Sequence, residues 1–162
     1  MGIEGIGARV LRKEDKRFIT GKGRYTDDMS VPGMKHAHFV RSPHAHAEIK
    51  KIDTKKALAM PGVIAVLTGK ELKADGIGNI ICGWMIHSKD GSPMKMGAWS
   101  PLATDTVRYV GDAIVIVVAD TKSQARDAAE AVEITYKVKK AVVSAVDALK
   151  AGAPQIHPEA AG

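Results

Sequence analysis

The sequence predicts an α+β fold in which a mixed β-sheet carries its helices on one face and is interrupted by a long irregular loop. Short apolar strands alternate with brief helical segments, a pattern that indicates β-α-β units. Residues 113–119 form a continuous apolar run (AIVIVVA), which is typical of a strand covered on both faces. Glycine and proline break every candidate element between residues 74 and 105, which leaves a long loop inside the domain.

Three segments are predicted from the distribution of glycine, proline and apolar residues. Residues 1–33 are rich in glycine and charge, so we expect an N-terminal extended arm with one short helical turn near residues 13–18. Residues 34–150 hold the periodic apolar segments and form the domain. Pro154 and Pro158 indicate an irregular C-terminal tail over residues 151–162.

The first half of the domain is predicted to contain three strands, one helix and one further helical turn. Asp53 or Thr54 is placed to cap the helix, because either side chain can accept a hydrogen bond from the first free backbone N–H groups. Pro61 and Gly62 then end it. In chain order we expect a strand at residues 35–41, a strand at 45–52, a helix at 55–60, a strand at 63–67 and a turn at 69–73.

The second half centres on a strand followed by an alanine-rich helix. Thr121 and Gln124 have the spacing of a capping box, in which the threonine side chain caps the glutamine N–H and the glutamine reaches back. Small apolar residues then recur at helical spacing and indicate a helix packed closely on the sheet, namely Ala125, Ala128, Ala129 and Val132. We expect order to return at residues 107–110, a turn at 111–112, a strand at 133–136 and a last short helix at 147–150.

Residues 49–67 and 113–136 share the order strand, Asp-Thr-Lys, helix, strand. The shared triplets occupy residues 53–55 and 120–122. The similarity fits either an ancient duplication or the common preference of helix starts for Asp and Thr. In both cases we expect β-α-β units whose helices cover one face of a mixed sheet.

Composition and charge exclude several classes of function. The net charge of +6 is compatible with an acidic partner. The lysines, however, occur as scattered pairs beside apolar runs and are not interleaved with aromatic residues. We therefore expect no nucleic-acid binding.

No segment approaches the roughly 20 apolar residues of a membrane span, and the N-terminus lacks a signal-peptide pattern. With Cys82 as the one cysteine, no internal disulfide can form, and we expect a cytoplasmic protein.

Two His-x-His pairs are candidate metal ligands. His36 with His38, and His44 with His46, would each present two imidazoles on one face of a strand. A closed site needs further ligands, and neither Cys82 nor the other histidines stand at ligand spacing. Polar residues beside a turn are the simpler interpretation, so we predict no metal ligand in this chain.

Three other candidates also fall short of a catalytic or cofactor site. Residues 21–24 (GKGR) lack the spacing of a phosphate-binding loop, and no apolar strand leads into them. Asp27 and Asp28 are adjacent, so their side chains point apart in an extended chain. That is poor geometry for shared acid–base catalysis. Cys82 has no visible activating partner in the sequence. We therefore predict no catalytic and no cofactor-binding residue.

The loop over residues 74–105 is the strongest functional signal from the residues themselves. It carries two tryptophans, Trp84 and Trp99, together with several methionines, although it has no periodic structure. Methionine adapts to irregular partners and tryptophan anchors interfaces. We expect the loop to dock against another protein surface, the alternative being that it folds back onto its own core.

Four segments, in order, resemble the N-terminal domain of the xanthine dehydrogenase and aldehyde oxidase family. Within that family they are most similar to the large subunit of the aerobic, molybdenum-containing carbon-monoxide dehydrogenases. The match in order and spacing runs from about residue 6 to residue 157. The segments are residues 21–28 (GKGRYTDD), 41–47 (RSPHAHA), 61–68 (PGVIAVLT) and 107–113 (VRYVGDA).

The resemblance implies an α/β-hammerhead domain without catalytic residues of its own. In the family, the contacts to molybdopterin cytosine dinucleotide and the catalytic glutamate lie in later domains, so none carries over to a residue here. The resemblance implies a parent enzyme that also uses iron–sulfur clusters and FAD. Its implied partners are the molybdenum-binding remainder of the large subunit, an iron–sulfur small subunit and an FAD medium subunit.

The chain is accordingly expected to be either an excised piece of a large subunit or one product of a split gene. The alternative function is a freestanding protein-binding module that uses residues 74–105 as its recognition surface.

Overall fold

The computed structural model describes residues 5–7 and 12–160 of the 162-residue chain. Parts of the predicted arm and tail, residues 1–4, 8–11 and 161–162, lie outside the described residues. The chain divides into two compact units, Met1–Met34 and Lys35–Gly162. The segment predicted as a separate tail, residues 151–162, belongs to the second unit.

The first unit contains local structure as well as extended chain. Helix α1 spans Asp15–Ile19, close to the turn predicted near residues 13–18, and Thr26–Asp28 forms a 3-10 turn. Between them the rings of Phe18 and Tyr25 stack with centroids 5.5 Å apart and planes inclined by 14°. The predicted arm is therefore not extended throughout, because this aromatic contact draws its two turns together.

The second unit follows the predicted order of elements, with differences at their ends. The segment predicted at residues 107–110 is a strand only at its start, and the last helix begins before residue 147 because Ser144 caps it. The elements are β1 His36–Arg41, β2 Ala47–Asp53, α2 Lys55–Leu58, β3 Val63–Thr68, α3 Gly69–Ala74, β4 Thr106–Val107, β5 Ala113–Ala119, α4 Lys122–Glu130, β6 Glu133–Val138 and α5 Ala145–Ala148, followed by a 3-10 turn at Pro158–Ala160.

The described strands form two three-stranded antiparallel sheets, where the sequence predicted one mixed sheet. One sheet has the order β1-β5-β3 and the other has the order β4-β2-β6. In the first sheet Phe39, Ile116 and Leu67 lie opposite one another across the three strands. Strand β5 is central in this sheet and largely buried, as its continuous apolar run predicted.

The predicted β-α-β units exist as chain segments, but each one passes from one sheet to the other. Strand β2 leads through α2 to β3 in the other sheet, and β5 leads through α4 to β6 in the same manner. Only residues 54–62 separate β2 from β3, fewer than the roughly twelve that a parallel crossover needs. Each β-α-β unit therefore spans two sheets, whereas a single mixed sheet was predicted, and the order of elements is as predicted.

The core lies where α2 and α4 pack on one face of the sheet β1-β5-β3, as the predicted architecture requires. Three alanines of α4 are buried, and their small side chains allow the helix to lie close to the strands. Residues of the second sheet, Ala47 and Val107 among them, join the same apolar cluster. The alanines are Ala125, Ala128 and Ala129.

Side-chain caps fix the starts of α3 and α4. Thr121 accepts a hydrogen bond from the backbone N–H of Gln124 at 3.2 Å, as predicted, whereas the Gln124 side chain meets the Thr121 hydroxyl instead of its backbone N–H. Helix α3 carries a complete capping box of Thr68 and Glu71, in which the Glu71 carboxylate accepts the Thr68 N–H at 2.8 Å.

At α2 the cap is formed by Asp53, whose carboxylate accepts from the backbone N–H of Lys55 at 3.2 Å. Thr54, the other predicted cap, makes no side-chain cap bond although it occupies the N-cap position.

Two lysines of β2 lie at the surface and pair with acidic neighbours. Lys50 contacts Glu48 at 2.5 Å, and Lys51 contacts Asp53 at 3.0 Å. Ion pairs at such exposed positions contribute little to stability. Among the described residues, no helix is long and apolar enough to cross a membrane.

Candidate docking surface

The loop between α3 and β4 folds as an irregular hairpin with two limbs. Residues 77–87 form its first limb and residues 93–99 form its second limb. The backbone N–H of Ile80 donates to the carbonyl of Trp99 at 2.8 Å near the base, and Met94 donates to Ile86 at 3.0 Å further out. At the tip, Ser88 donates to Ser92 at 2.8 Å. These backbone hydrogen bonds define the path of the hairpin, although almost none of it forms a helix or a strand.

Most large apolar side chains of this hairpin face solvent. Trp84 is 82% exposed and Ile81 is 87% exposed. The predicted alternative, in which the loop folds back onto its own core, applies only to its end, where Leu102 and Ala103 are buried. A cluster of this kind marks an interaction site more often than an ordinary surface. Its members are Ile77, Ile80, Ile81, Trp84, Met85, Ile86, Met96 and Trp99.

A cavity of about 800 Å³ opens beside the hairpin. Both limbs line it, together with residues of α3, the segment around β4 and the C-terminal tail. Its lining combines apolar side chains such as Trp99 and Met96 with the charged groups of Lys73, Arg108 and Asp112. A concave, mainly apolar surface with a few polar groups is suited to receive an inserted side chain or segment.

The C-terminal tail contacts the edge of this cavity through a cluster of charged groups. The Glu159 carboxylate accepts from the backbone N–H of Ala98 at 3.1 Å and contacts His157 Nδ1 at 3.0 Å. Arg108 Nε donates to the Ile156 carbonyl at 3.2 Å. The hydrogen bond from His157, supported by backbone N–H groups and by the Arg108 charge, lowers the Glu159 pKa to about 2.

Among the described residues, neither histidine pair belongs to a group of three or more His, Cys, Asp or Glu side chains that could hold a metal ion. His36 and His38 share one face of β1 as predicted, but His44 and His46 lie in the bend before β2, so the same-face argument fails for them. His44 packs edge-on against Tyr136 with ring centroids 4.9 Å apart, and His46 Nδ1 bonds the Lys140 carbonyl at 2.9 Å. The second pair therefore serves packing and backbone pairing.

Gly23 of the GKGR segment has a packing role in the first unit. A Cβ added at Gly23 would lie 2.6 Å from the Phe18 ring, so the chain needs glycine there to approach that ring. Asp27 and Asp28 sit in the exposed 3-10 turn, where Asp28 accepts from the backbone N–H of Tyr25 at 2.9 Å. The absence of a phosphate site and of an acid–base pair in this segment stays a prediction.

Cys82 lines the cavity, and its Sγ lies 3.4 Å from the carbonyl oxygen of Trp84. Within the described part of the chain, no three His, Cys, Asp or Glu side chains are grouped closely enough to hold a metal ion. An iron–sulfur cluster needs four protein ligands, usually cysteines, and the whole sequence contains one cysteine. The donor set of this chain therefore does not fit a cluster.

Sequence reasoning missed the cluster of Arg108, His157 and Glu159. Glu159 follows Ala98 by 61 residues in the chain. No local spacing or periodicity signals such a pairing, because it depends on where the tail returns to the domain. The tail was predicted only to be irregular.

Comparison with known proteins gives consistent results for sequence and fold. Residues 20–140 match the family model described as "Aldehyde oxidase and xanthine dehydrogenase, a/b hammerhead domain". The chain is 41% identical to the carbon monoxide dehydrogenase large chain of Hydrogenophaga pseudoflava, a match that covers 100% of this chain and 19% of that protein.

Solved structures show the same partial coverage. A reconstituted CO dehydrogenase from Oligotropha carboxidovorans matches with a TM-score of 0.73 and 38% identity over 93% of this chain and 17% of that one. Quinoline 2-oxidoreductase from Pseudomonas putida 86 matches with a TM-score of 0.76 and 35% identity over 87% and 17% of the two chains. The chain thus spans about a fifth of the length of these relatives.

Proposed function

Because the chain belongs to the aldehyde oxidase and xanthine dehydrogenase a/b hammerhead family, we propose that it is a non-catalytic domain of a molybdenum hydroxylase large subunit. The exposed apolar hairpin carries this proposal. A small domain that leaves eight large apolar side chains of one loop exposed has a surface suited to a permanent partner. We propose that this partner is the molybdenum-binding remainder of the large subunit.

The chemistry of the parent enzyme would then lie outside this chain. The match to about a fifth of each relative leaves most of a large subunit to hold the cofactor and the catalytic residues. We propose that the parent uses molybdopterin cytosine dinucleotide, iron–sulfur clusters and FAD, with the last two on separate small and medium subunits. We also propose that it works in the cytoplasm, which fits a chain that needs no internal disulfide.

The docking proposal is tested with the chain and the remainder of its large subunit produced as separate polypeptides. We expect the two to co-elute on size-exclusion chromatography. The double variant Ile81→Ser/Trp84→Ser removes two highly exposed anchors and should weaken this binding at least about thirtyfold. Titration with a fluorescent label on the remainder measures the change in Kd.

The matched control is Ile19→Ser, which removes an equally exposed isoleucine (83%) from the first unit. It should leave the Kd within about twofold, since it lies outside the hairpin. Failure of the unsubstituted chain to bind the remainder contradicts the proposal and favours the freestanding binding module. Equal losses in the control and in the hairpin variant show that the surface extends beyond the hairpin.

A further inference from the structure

The C-terminal tail contacts the second limb of the hairpin through one acidic side chain. The Glu159 carboxylate accepts from the backbone N–H of Ala98 at 3.1 Å, although the two residues are 61 positions apart. The same oxygen lies 3.0 Å from His157 Nδ1 and 3.9 Å from a terminal guanidinium nitrogen of Arg108. Two cationic or donor side chains thus hold the carboxylate that binds the limb.

A second contact between the tail and this limb is steric. A Cβ built on Gly97 would lie 2.0 Å from His157 Nδ1, so the backbone of the limb lies directly against the imidazole. Gly97 does not adopt a positive φ, and the backbone itself would therefore accept alanine. The ring of His157 is the obstacle, which makes the closeness of the two segments testable.

The tail is in turn fixed to the body of the domain. Arg108 follows β4 directly, and its Nε donates to the carbonyl of Ile156 at 3.2 Å. The backbone N–H of Arg108 donates to the Asp112 carboxylate at 3.0 Å, which anchors this position beside β5. The tail therefore contacts both the region around β4 and the hairpin.

We propose that residues 156–160 form a strap that holds the second limb of the hairpin, residues 93–99, against the domain, with Glu159 as the tie. The strap orders the limb before any partner binds, which lowers the entropy lost on docking. It also fixes one wall of the cavity, because His157 and the limb line it together. This role goes beyond the proposed docking function and does not depend on it.

Amide hydrogen exchange of the 162-residue chain, without partner, tests the strap. In Glu159→Ala the Ala98 amide loses its acceptor, and its exchange should accelerate by about tenfold or more. Glu130→Ala is the control, since it removes an exposed carboxylate from α4 and should leave Ala98 exchange unchanged. An unchanged Ala98 rate in Glu159→Ala overturns the proposal, as does an equal acceleration in the control.

A pair of variants tests the steric contact separately. Gly97→Ala pushes the His157 ring away and should also accelerate exchange at Ala98. Adding Gly97→Ala to His157→Ala should produce no further acceleration, because the obstructing ring is then absent. If Gly97→Ala has the same effect with and without the ring, the limb does not rest on His157 and the strap is contradicted.

Discussion

At the residue scale, Leu102 marks the point where the hairpin returns to the core. Its side chain is 1% exposed, and the next residue, Ala103, donates its backbone N–H to the Ala113 carbonyl of β5 at 2.7 Å. Single apolar residues of the loop over residues 74–105 therefore differ sharply in role. Leu102 holds the loop to the domain, whereas Ile81 contributes its side chain to the surface.

Leu102→Ala is expected to lower the free energy of unfolding by about 2–5 kcal/mol, because it leaves a cavity at a fully buried site. Ile81→Ala, which shortens an exposed side chain in the same loop over residues 74–105, should change this free energy by at most about 0.5 kcal/mol. Urea unfolding followed by circular dichroism measures both. Similar effects of the two substitutions would show that Leu102 does not anchor the loop.

The capping carboxylate of Glu71 makes the stability of the fold depend on pH. Hydrogen bonds from the Thr68 hydroxyl and from backbone N–H groups lower the Glu71 pKa below its ordinary value of 4.5. A carboxyl group with a lower pKa in the folded state stabilises the fold above its unfolded pKa. That contribution is lost as the pH falls through its folded pKa.

Glu71→Gln is therefore expected to lower stability at about pH 7 and to reduce the further loss on acidification below about pH 4.5. Urea midpoints across a pH series measure this. Glu130→Gln controls for the change in net charge, because it removes one exposed carboxylate from α4. An unchanged slope of stability against pH in Glu71→Gln would contradict the role given to this cap.

At the element scale, the sequence predicted helices and strands well because their signals are local. The alanine spacing of α4, the cap at Thr121 and the apolar run of β5 each depend on neighbouring residues. The partition of strands between two sheets depends on contacts between distant segments, and periodicity carries no information about it. The length of the link between β2 and β3 was the one local sign against a parallel pair.

The cap of α4 gives a prediction with an internal control. Thr121→Ala removes the acceptor for the Gln124 N–H and should cost about 1 kcal/mol of unfolding free energy. Thr54→Ala at α2 should cost clearly less, since Thr54 occupies the N-cap position without a side-chain cap bond. Thermal or urea unfolding compares the two. Equal losses would mean that the Thr121 hydroxyl does not stabilise the helix start.

The candidate surface, like the fold, could be predicted only where its signal lies within one segment of the sequence. The apolar composition and glycine breaks of residues 74–105 predicted a docking loop. The hairpin exposes both of its tryptophans, and docking itself stays a prediction. The strap was beyond sequence reasoning, because Glu159 and Ala98 meet only after the tail has returned to the domain.

At the scale of the whole molecule, the chain is a scaffold that presents a hairpin. Two antiparallel sheets and α4 enclose the core, and the largest exposed apolar groups of the hairpin lie outside it. The relatives it matches are about five times its length, so the chain corresponds to a small part of each. This proportion supports the proposal that the reaction of the parent enzyme takes place on residues outside this chain.

We propose that this chain holds no molybdenum centre by itself. Inductively coupled plasma mass spectrometry of the purified 162-residue chain, made in cells that synthesise molybdenum cofactor, tests it most directly. We expect molybdenum far below one atom per chain, because the chain corresponds to about a fifth of each relative and the cofactor is proposed to lie on the rest of the large subunit. One molybdenum atom per chain would contradict it.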